Sequence, residues 1–269
     1  MKAQAFLFAA SMLSTHSLAD IQLSSPITQG SLIQGKTNAS HTIIFKERTL
    51  AVTPDGTFVF GVGRDAEALQ TIQEIDANGK ATTYTFQVIQ RTYEVQPIDG
   101  IAKEKVTPPE SVLSRIKQET ALVKKARKTD SRLEYFKMPF ITPTQGRVTG
   151  VYGSQRIYNG IPKRPHYGID IAAPKGTIVQ APADGVVTLT HDDMYFSGGT
   201  LLIDHGYGIS STFIHLDSIL VKEGDKVKQG ESIARVGSTG RSTGPHLDWR
   251  INWYGVRLDP QLVLQSPIQ

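Results

Sequence analysis

The first part of the chain alternates short apolar runs with clusters of turn residues. Apolar and β-branched residues concentrate at 42–45, 58–62 and 84–89. Turn residues separate these runs, at Pro54-Asp55-Gly56 and at Asn78-Gly79. Such runs, bounded by Pro, Asp, Asn and Gly, are typical of short strands joined by tight turns. Residues 20–96 are therefore predicted to form a small β-sandwich domain.

The pattern changes after this region. Residues 97–109 have the composition of a linker, and Pro108-Pro109-Glu110 then opens a stretch with helical character that continues to about Lys128. Proline in the first turn and a carboxylate near the start both favour a helix N-terminus. Residues 97–138 are therefore predicted to form a linker and a helix.

From about residue 139 the chain returns to a strand pattern, now interrupted regularly by glycine. No helical period of comparable length occurs there, so the region 139–269 is predicted to be an antiparallel β domain and the whole chain to be mainly β. The predicted strand regions are 147–153, 176–181, 185–190, 200–205, 211–214 and 232–237.

The first nineteen residues have the layout of a secretory signal. Lys2 gives a positive start, residues 3–13 are an apolar core, and Ser17-Leu18-Ala19 is a small-x-small cleavage site. This core is too short to cross a bilayer. Residues 1–19 are predicted to be a signal peptide, and the mature chain is expected to start near Asp20 outside the cytoplasm.

Composition narrows the chemistry further. The chain has 269 residues, a formal net charge of +4 and no cysteine. The absence of cysteine excludes disulfides, thiolate metal sites and thiol nucleophiles, so any metal must be held by His, Asp or Glu. No apolar run approaches the roughly 20 residues of a membrane span. No phosphate-binding loop or nucleic-acid-binding motif is present either.

Histidine and aspartate cluster in three fragments of the C-terminal region, which contain His166 and Asp170, His215, and His246 and Asp248. Residues two apart on a strand share a face about 6.6 Å apart, whereas residues four apart are about 13 Å apart. His166 and Asp170 can therefore share one ion only if the chain bends between them, and Gly168 lies midway. Imidazole and carboxylate ligands suit zinc, and three protein ligands leave an open position for chemistry. Spacing alone leaves scattered structural histidines as an alternative.

These fragments resemble the motifs of a known family. The stretches 166–170, 211–216 and 237–247 are similar to the three motifs of the lysostaphin/LytM-type zinc peptidases, which cut peptide cross-bridges in peptidoglycan. The connecting stretches 172–177, 183–187 and 221–231 are similar too, so the resemblance covers roughly residues 140–264. The preceding β domain and linker helix resemble the arrangement of a Gram-negative subgroup.

The resemblance implies a role for each site residue. His166 and Asp170 would be ligands of one zinc ion, and His215 and His246 would be the catalytic imidazoles around the water and the scissile carbonyl. Where the family has a second His, two residues after His246, this chain has Asp248. As the third ligand, Asp248 would bring the ligand charge to −2 and make the bound water less acidic. Alternatively, the site no longer holds zinc.

The resemblance therefore implies an exported zinc-dependent endopeptidase of the periplasm or cell wall that hydrolyses peptide cross-links of peptidoglycan. The alternative is a catalytically inactive or weakened LytM-type module that binds the wall and activates a separate amidase. Peptidoglycan is the expected partner, and the N-terminal β domain is a further candidate surface for a protein partner. Neither nucleic acid nor a membrane span is expected.

Overall fold

The computed structural model describes residues 21–265, so the predicted signal peptide lies outside the described residues. The chain is mainly β with one large antiparallel sheet, which confirms the predicted fold class. Within residues 21–265, no helix combines the length and the apolarity that a bilayer-crossing segment needs.

Seven strands form the N-terminal part, in two small sheets with the orders β1-β2-β5 and β4-β3-β6-β7. Each apolar run singled out in the sequence overlaps a strand: β3 coincides with its run, whereas β5 and β7 begin and end earlier than theirs. The strands are β1 (Gln22–Leu23), β2 (Leu32–Lys36), β3 (Thr42–Phe45), β4 (Arg48–Leu50), β5 (Thr57–Gly61), β6 (Leu69–Ile75) and β7 (Ala81–Gln87).

The stretch interpreted as a linker carries regular structure of its own. Strand β8 (Val95–Ile98) pairs in parallel with β10 (Gln155–Tyr158), and the short helix α1 (Lys103–Val106) follows. The predicted helix forms as a 3-10 turn at Glu110–Val112 that continues into α2 (Leu113–Ala126). This region thus connects the two parts of the chain through strand pairing.

The large sheet has the order β17-β14-β15-β16-β19-β12-β9, with β13, β18 and β20 attached at its sides. All six strand regions predicted from the sequence lie in or overlap these strands. The remaining elements are β9 (Arg147–Gly150), β11 (Ile161–Pro162), β12 (Ile169–Ala172), β13 (Ile178–Gln180), β14 (Gly185–Met194), β15 (Gly198–Gly206), β16 (Ile209–Ile219), β17 (Lys226–Val227), β18 (Ser232–Val236), β19 (His246–Trp253), β20 (Val256–Leu258) and α3 (Pro260–Gln265).

Strand β19 divides its residues between two chemically different faces. Because side chains alternate along a strand, residues 247, 249, 251 and 253 share one face and residues 246, 248, 250 and 252 the other. The first set is apolar (Leu, Trp, Ile, Trp) and belongs to the main core cluster. The second set is polar (His, Asp, Arg, Asn). The sheet therefore has an apolar face on the core and a polar stripe on the opposite face.

The N-terminal sheets and the large sheet share this core. Phe45 of β3 packs on Trp253 of β19 with ring centroids 6.3 Å apart, and both side chains are buried. A Cβ at Gly61 of β5 would lie 2.8 Å from a Leu258 methyl group, so the β5 backbone packs closely against the Leu258 side chain. Arg91 adds a 2.7 Å ion pair to the buried Asp259 carboxylate.

Candidate metal centre

Strand pairing brings the two acidic residues of the candidate site together. Asp170 of β12 lies directly opposite Asp248 of β19 in the antiparallel register. The chain bends at Gly168, as the spacing of His166 and Asp170 requires. Gly168 is needed for a close approach, because a Cβ there would lie 2.6 Å from the Trp249 carbonyl oxygen and 2.7 Å from Asp248 Oδ1. The backbone at the Gly168 bend therefore packs directly against β19.

The bend places His166 beside both carboxylates. His166 Nε2 lies 3.2 Å from Asp170 Oδ1, and His166 Nδ1 lies 3.9 Å from Asp248 Oδ2. One ligand atom from each of the three residues lies within 4.8 Å of the others. All three residues are buried, with exposed fractions of 2% for His166, 8% for Asp170 and 1% for Asp248. The structure thus brings together the three residues predicted as metal ligands.

Two atoms of this cluster lack any hydrogen-bond partner within the described chain. They are His166 Nε2 and Asp170 Oδ1, both buried, which face each other at 3.2 Å without hydrogen-bond geometry. A buried polar atom without a partner costs free energy, so it is rare in folded proteins unless a water or an ion satisfies it. An imidazole nitrogen and a carboxylate oxygen are also ligand atoms that bind zinc. These residues therefore fit a metal ion.

Two arginines donate hydrogen bonds to the carboxylates of Asp170 and Asp248. Arg156 donates to Asp170 Oδ2 through Nη2. Arg250 donates to both oxygens of Asp248, from Nε to Oδ1 at 2.8 Å and from Nη2 to Oδ2 at 2.6 Å. Burial would raise the pKa of each carboxyl, but the neighbouring arginines and His166 outweigh it and hold both pKa values below their usual range. Both aspartates are therefore ionised at neutral pH.

The two other histidines lie beside this cluster with their rings 4.9 Å apart. His215 Nδ1 donates to the Thr239 carbonyl at 2.8 Å, and His246 Nδ1 donates to the Gly244 carbonyl at 2.8 Å. Since a carbonyl only accepts, the neutral form of each ring has its proton on Nδ1 and a bare Nε2. Burial lowers the pKa of His215 to about 4 and outweighs the nearby Asp248 carboxylate, which acts in the opposite direction.

The backbone supports this placement of the imidazoles. His215 has a φ of 65°, in the left-handed region that a non-glycine residue seldom adopts, and its amide donates to the Ser197 carbonyl at 2.8 Å. His246 Nε2 lies 3.8 Å from Asp170 Oδ1. All five residues singled out in the sequence are thus assembled at one place.

Sequence reasoning did not assign roles to Arg156 and Arg250. A signal for Arg250 exists, because it stands two residues after Asp248 and therefore shares its face of β19. Arg156 lies on β10, which does not pair with β12 or β19, so no spacing rule connects it to Asp170. Its role depends on tertiary packing alone.

Comparison with known proteins identifies the domain that carries this site. Residues 164–260 match the model of the family described as Peptidase family M23. These residues form an M23 peptidase domain. The match includes all five site residues and covers strands β12 to β20. The M23 domain therefore contains the whole candidate metal-ligand cluster and both neighbouring imidazoles.

Several curated proteins resemble this M23 domain. The peptidoglycan DD-endopeptidase ShyA of Vibrio cholerae is 40% identical over 107 residues, which are 39% of this chain and 24% of that protein. The DD-carboxypeptidase/endopeptidase Mpg of Neisseria meningitidis is 44% identical over 105 residues, with 39% and 24% coverage. The similarity thus spans about a quarter of the length of these relatives.

A solved structure extends the likeness beyond the M23 domain. A crystal structure described as peptidase M23 from Pseudomonas aeruginosa matches 89% of this chain and 96% of that chain, with a TM-score of 0.69 and 25% sequence identity. The N-terminal sheets and the M23 domain are therefore found together in that protein as well.

Proposed function

We propose that this protein is an exported zinc-dependent endopeptidase that hydrolyses peptide cross-links of peptidoglycan. The observation that carries the proposal is a pair of buried atoms without hydrogen bonds, His166 Nε2 and Asp170 Oδ1, which face each other beside two imidazoles in an M23 domain. The peptidoglycan endopeptidases among the similar proteins support the substrate class.

In this proposal, one zinc ion is held by His166, Asp170 and Asp248. When bound, it would supply Lewis acidity toward the scissile carbonyl and toward the attacking water. Arg156 and Arg250 orient the two carboxylates by donating hydrogen bonds to them. A carboxylate oxygen that accepts such a bond still has a second lone pair for the metal. His166 is held by burial against both aspartates.

His215 and His246 are the proposed catalytic residues. Because their Nε2 atoms are bare in the neutral rings, either can accept a proton from the attacking water. Only after that step does a ring have an Nε2–H with which to stabilise the oxyanion or protonate the leaving amine. The carbonyls of Thr239 and Gly244 fix the rings in this orientation.

The proposal also includes the division of the chain into domains. Residues 1–19 would be a signal peptide, 20–96 a β-sandwich domain, 97–138 a connecting segment and 139–269 the peptidase domain. Export would place the enzyme in the periplasm or at the cell wall, where peptidoglycan is its substrate. The N-terminal domain would offer a surface to a protein partner.

The test uses the mature chain, purified without chelator. We expect about one zinc per chain and release of soluble muropeptides from purified sacculi, with product masses that identify the cut bond. Chelator should abolish release and zinc should restore it. His191→Ala, which removes a histidine outside the cluster, is the matched control and should behave like the wild type. Intact sacculi after incubation with the zinc-loaded protein would contradict the proposal.

One observation favours a second function. Arg250 neutralises Asp248 through both oxygens, so the cluster is balanced in charge by Arg156 and Arg250 without a metal. This arrangement suits a wall-binding module that activates a separate amidase. Such a module would bind sacculi equally well with and without chelator, contain no stoichiometric zinc and release no muropeptides by itself.

A further inference from the structure

Three arginines line the polar face of the sheet next to the metal cluster. Arg250 stands on β19 two residues after Asp248, opposite Thr212 of β16. Arg257 stands on β20 opposite Asn252 of β19. Arg127, which follows α2, reaches the same face from above the sheet through its contact with Thr212. We call these three residues the arginine cluster.

Neutral side chains connect the members of the arginine cluster. Arg127 Nη2 donates to Thr212 Oγ1 at 3.2 Å, and Asn252 Nδ2 donates to the same oxygen at 3.4 Å. Arg257 Nη1 donates to Asn252 Oδ1 at 2.6 Å. Among the described residues, neither Arg127 nor Arg257 forms an ion pair, whereas Arg250 is paired with the Asp248 carboxylate of the metal cluster.

Two buried polar atoms beside this network have no partner within the described chain: Arg127 Nε and Ser210 Oγ. Ser210 lies opposite Asn252 in the pairing of β16 with β19, so it shares the face of the arginine cluster. A guanidinium N–H and a hydroxyl can both donate to an oxygen anion. The unpartnered atoms therefore indicate a polar ligand that the chain itself does not supply.

Charge balance indicates the sign of that ligand. Three guanidiniums face a single carboxylate, which leaves an excess of positive charge on a half-buried surface. Burial lowers the pKa of Arg127 and Arg257, and repulsion from Arg250 lowers each further. An anion that bound between the side chains would relieve both effects. Arginine forks also match the planar geometry of a carboxylate.

We propose that Arg127, Arg250 and Arg257 bind a carboxylate of the peptide substrate next to the metal cluster. This inference rests on the proposed function and adds a substrate feature to it. Arg250 keeps its Nη1 available for the purpose, since only its Nε and Nη2 contact Asp248. Two residues along a strand span about 6.6 Å. The bound carboxylate would therefore lie about one or two residues from the scissile bond.

The experiment compares a cross-linked muropeptide dimer with a series in which each carboxylate in turn is converted to the carboxamide. Binding is measured by calorimetry on chelated, metal-free protein, and kcat/KM on the zinc-loaded protein. We expect one amidation, near the scissile bond, to weaken both by about 10-fold to 100-fold, since hydrogen bonds to charged groups are the strong ones. Equal binding of the acid and all carboxamides would overturn the inference.

Substitutions test whether the arginine cluster is responsible for the preference for the acid over the carboxamide. Arg127→Gln and Arg257→Gln should bind the acid as weakly as the wild type binds the critical carboxamide. Lys128→Gln, which removes an exposed charge next to Arg127, should keep the full preference. Thermal unfolding checks that the variants fold, and the wild-type comparison needs no variant. Inorganic phosphate at millimolar concentration should compete with the acid only. Retained preference in both arginine variants would also overturn the inference.

The two proposals fail differently. If the acid binds better than the carboxamide but neither is cut, the enzymatic proposal fails and the carboxylate site stands. If all members of the series are cut with equal kcat/KM and bound equally, the carboxylate site fails and the enzymatic proposal stands.

Discussion

Arg250 donates to both carboxylate oxygens of Asp248 from two residues further along the same strand. The pair is bidentate, which is the strongest geometry that arginine and a carboxylate form. Each carboxylate oxygen has a second lone pair, and Asp248 Oδ2 lies 3.9 Å from His166 Nδ1. If Asp248 binds a metal ion, the same carboxylate must therefore also keep its ion pair with Arg250.

This sharing predicts how metal affinity responds to mutation. A guanidinium next to the cluster repels a divalent ion by Coulomb interaction, whereas a glutamine amide is uncharged and can still donate a hydrogen bond to Asp248. Arg250→Gln should therefore bind zinc about tenfold more tightly, measured by competition with a chromophoric chelator. Asp248→Ala should lose stoichiometric zinc. Weaker zinc binding by Arg250→Gln would show that orientation outweighs repulsion.

His215 is expected to act on turnover and not on metal content. It is absent from the three-residue ligand cluster, and its bare Nε2 suits proton transfer. His215→Ala should retain zinc and lose about 10²-fold to 10⁴-fold in kcat. Metal analysis and a muropeptide assay measure the two effects separately. Loss of zinc together with turnover would instead make His215 a ligand.

Glycine at position 150 should be necessary for metal binding. A Cβ there would overlap the Asp170 carboxylate, lying 2.8 Å from its Cγ, and would lie 3.0 Å from Arg156 Nη2. Gly150→Ala should displace Asp170 and lower zinc affinity by about tenfold or more, since ligand orientation is worth that much. Gly255→Ala is the control, because its Cβ meets nothing within 4 Å. Unchanged affinity in Gly150→Ala would refute the role of this packing.

The sequence allowed prediction of the strands and of the five side chains, but not of the arginines around them. Period-two alternation identifies residues 246 and 248 as neighbours on one face, and the spacing of His166 and Asp170 requires the bend that occurs at Gly168. Neither rule specifies that β12 pairs with β19 so that Asp170 meets Asp248. Arg127 and Arg156 come from outside these strands, so their approach depends on packing that no local pattern encodes.

A buried histidine outside the site makes stability depend on pH. His205 is fully buried, donates from Nδ1 to the Asp184 carbonyl at 2.7 Å, and has a pKa lowered by burial to about 4. The unfolded chain protonates this group near pH 6.5, before the folded chain does. Stability should therefore be full above pH 6.5 and fall as the pH decreases toward 4.

The expected loss from His205 alone is about 3 kcal/mol between pH 7.5 and pH 4. Urea unfolding at several pH values measures it as a decrease in the free energy of unfolding. Equal stability at pH 7.5 and pH 5 would show that His205 does not remain neutral in the folded chain.

The core that Phe45 and Trp253 share has a consequence for how this protein can be divided into fragments. A fragment that began near residue 139 would leave Trp253 and Leu258, both buried in the intact chain, without the layer that covers them. Newly exposed aromatic and aliphatic surface of this kind promotes aggregation. Calorimetry on the intact protein should accordingly give one cooperative melting event, and a fragment without the preceding sheets should not fold by itself.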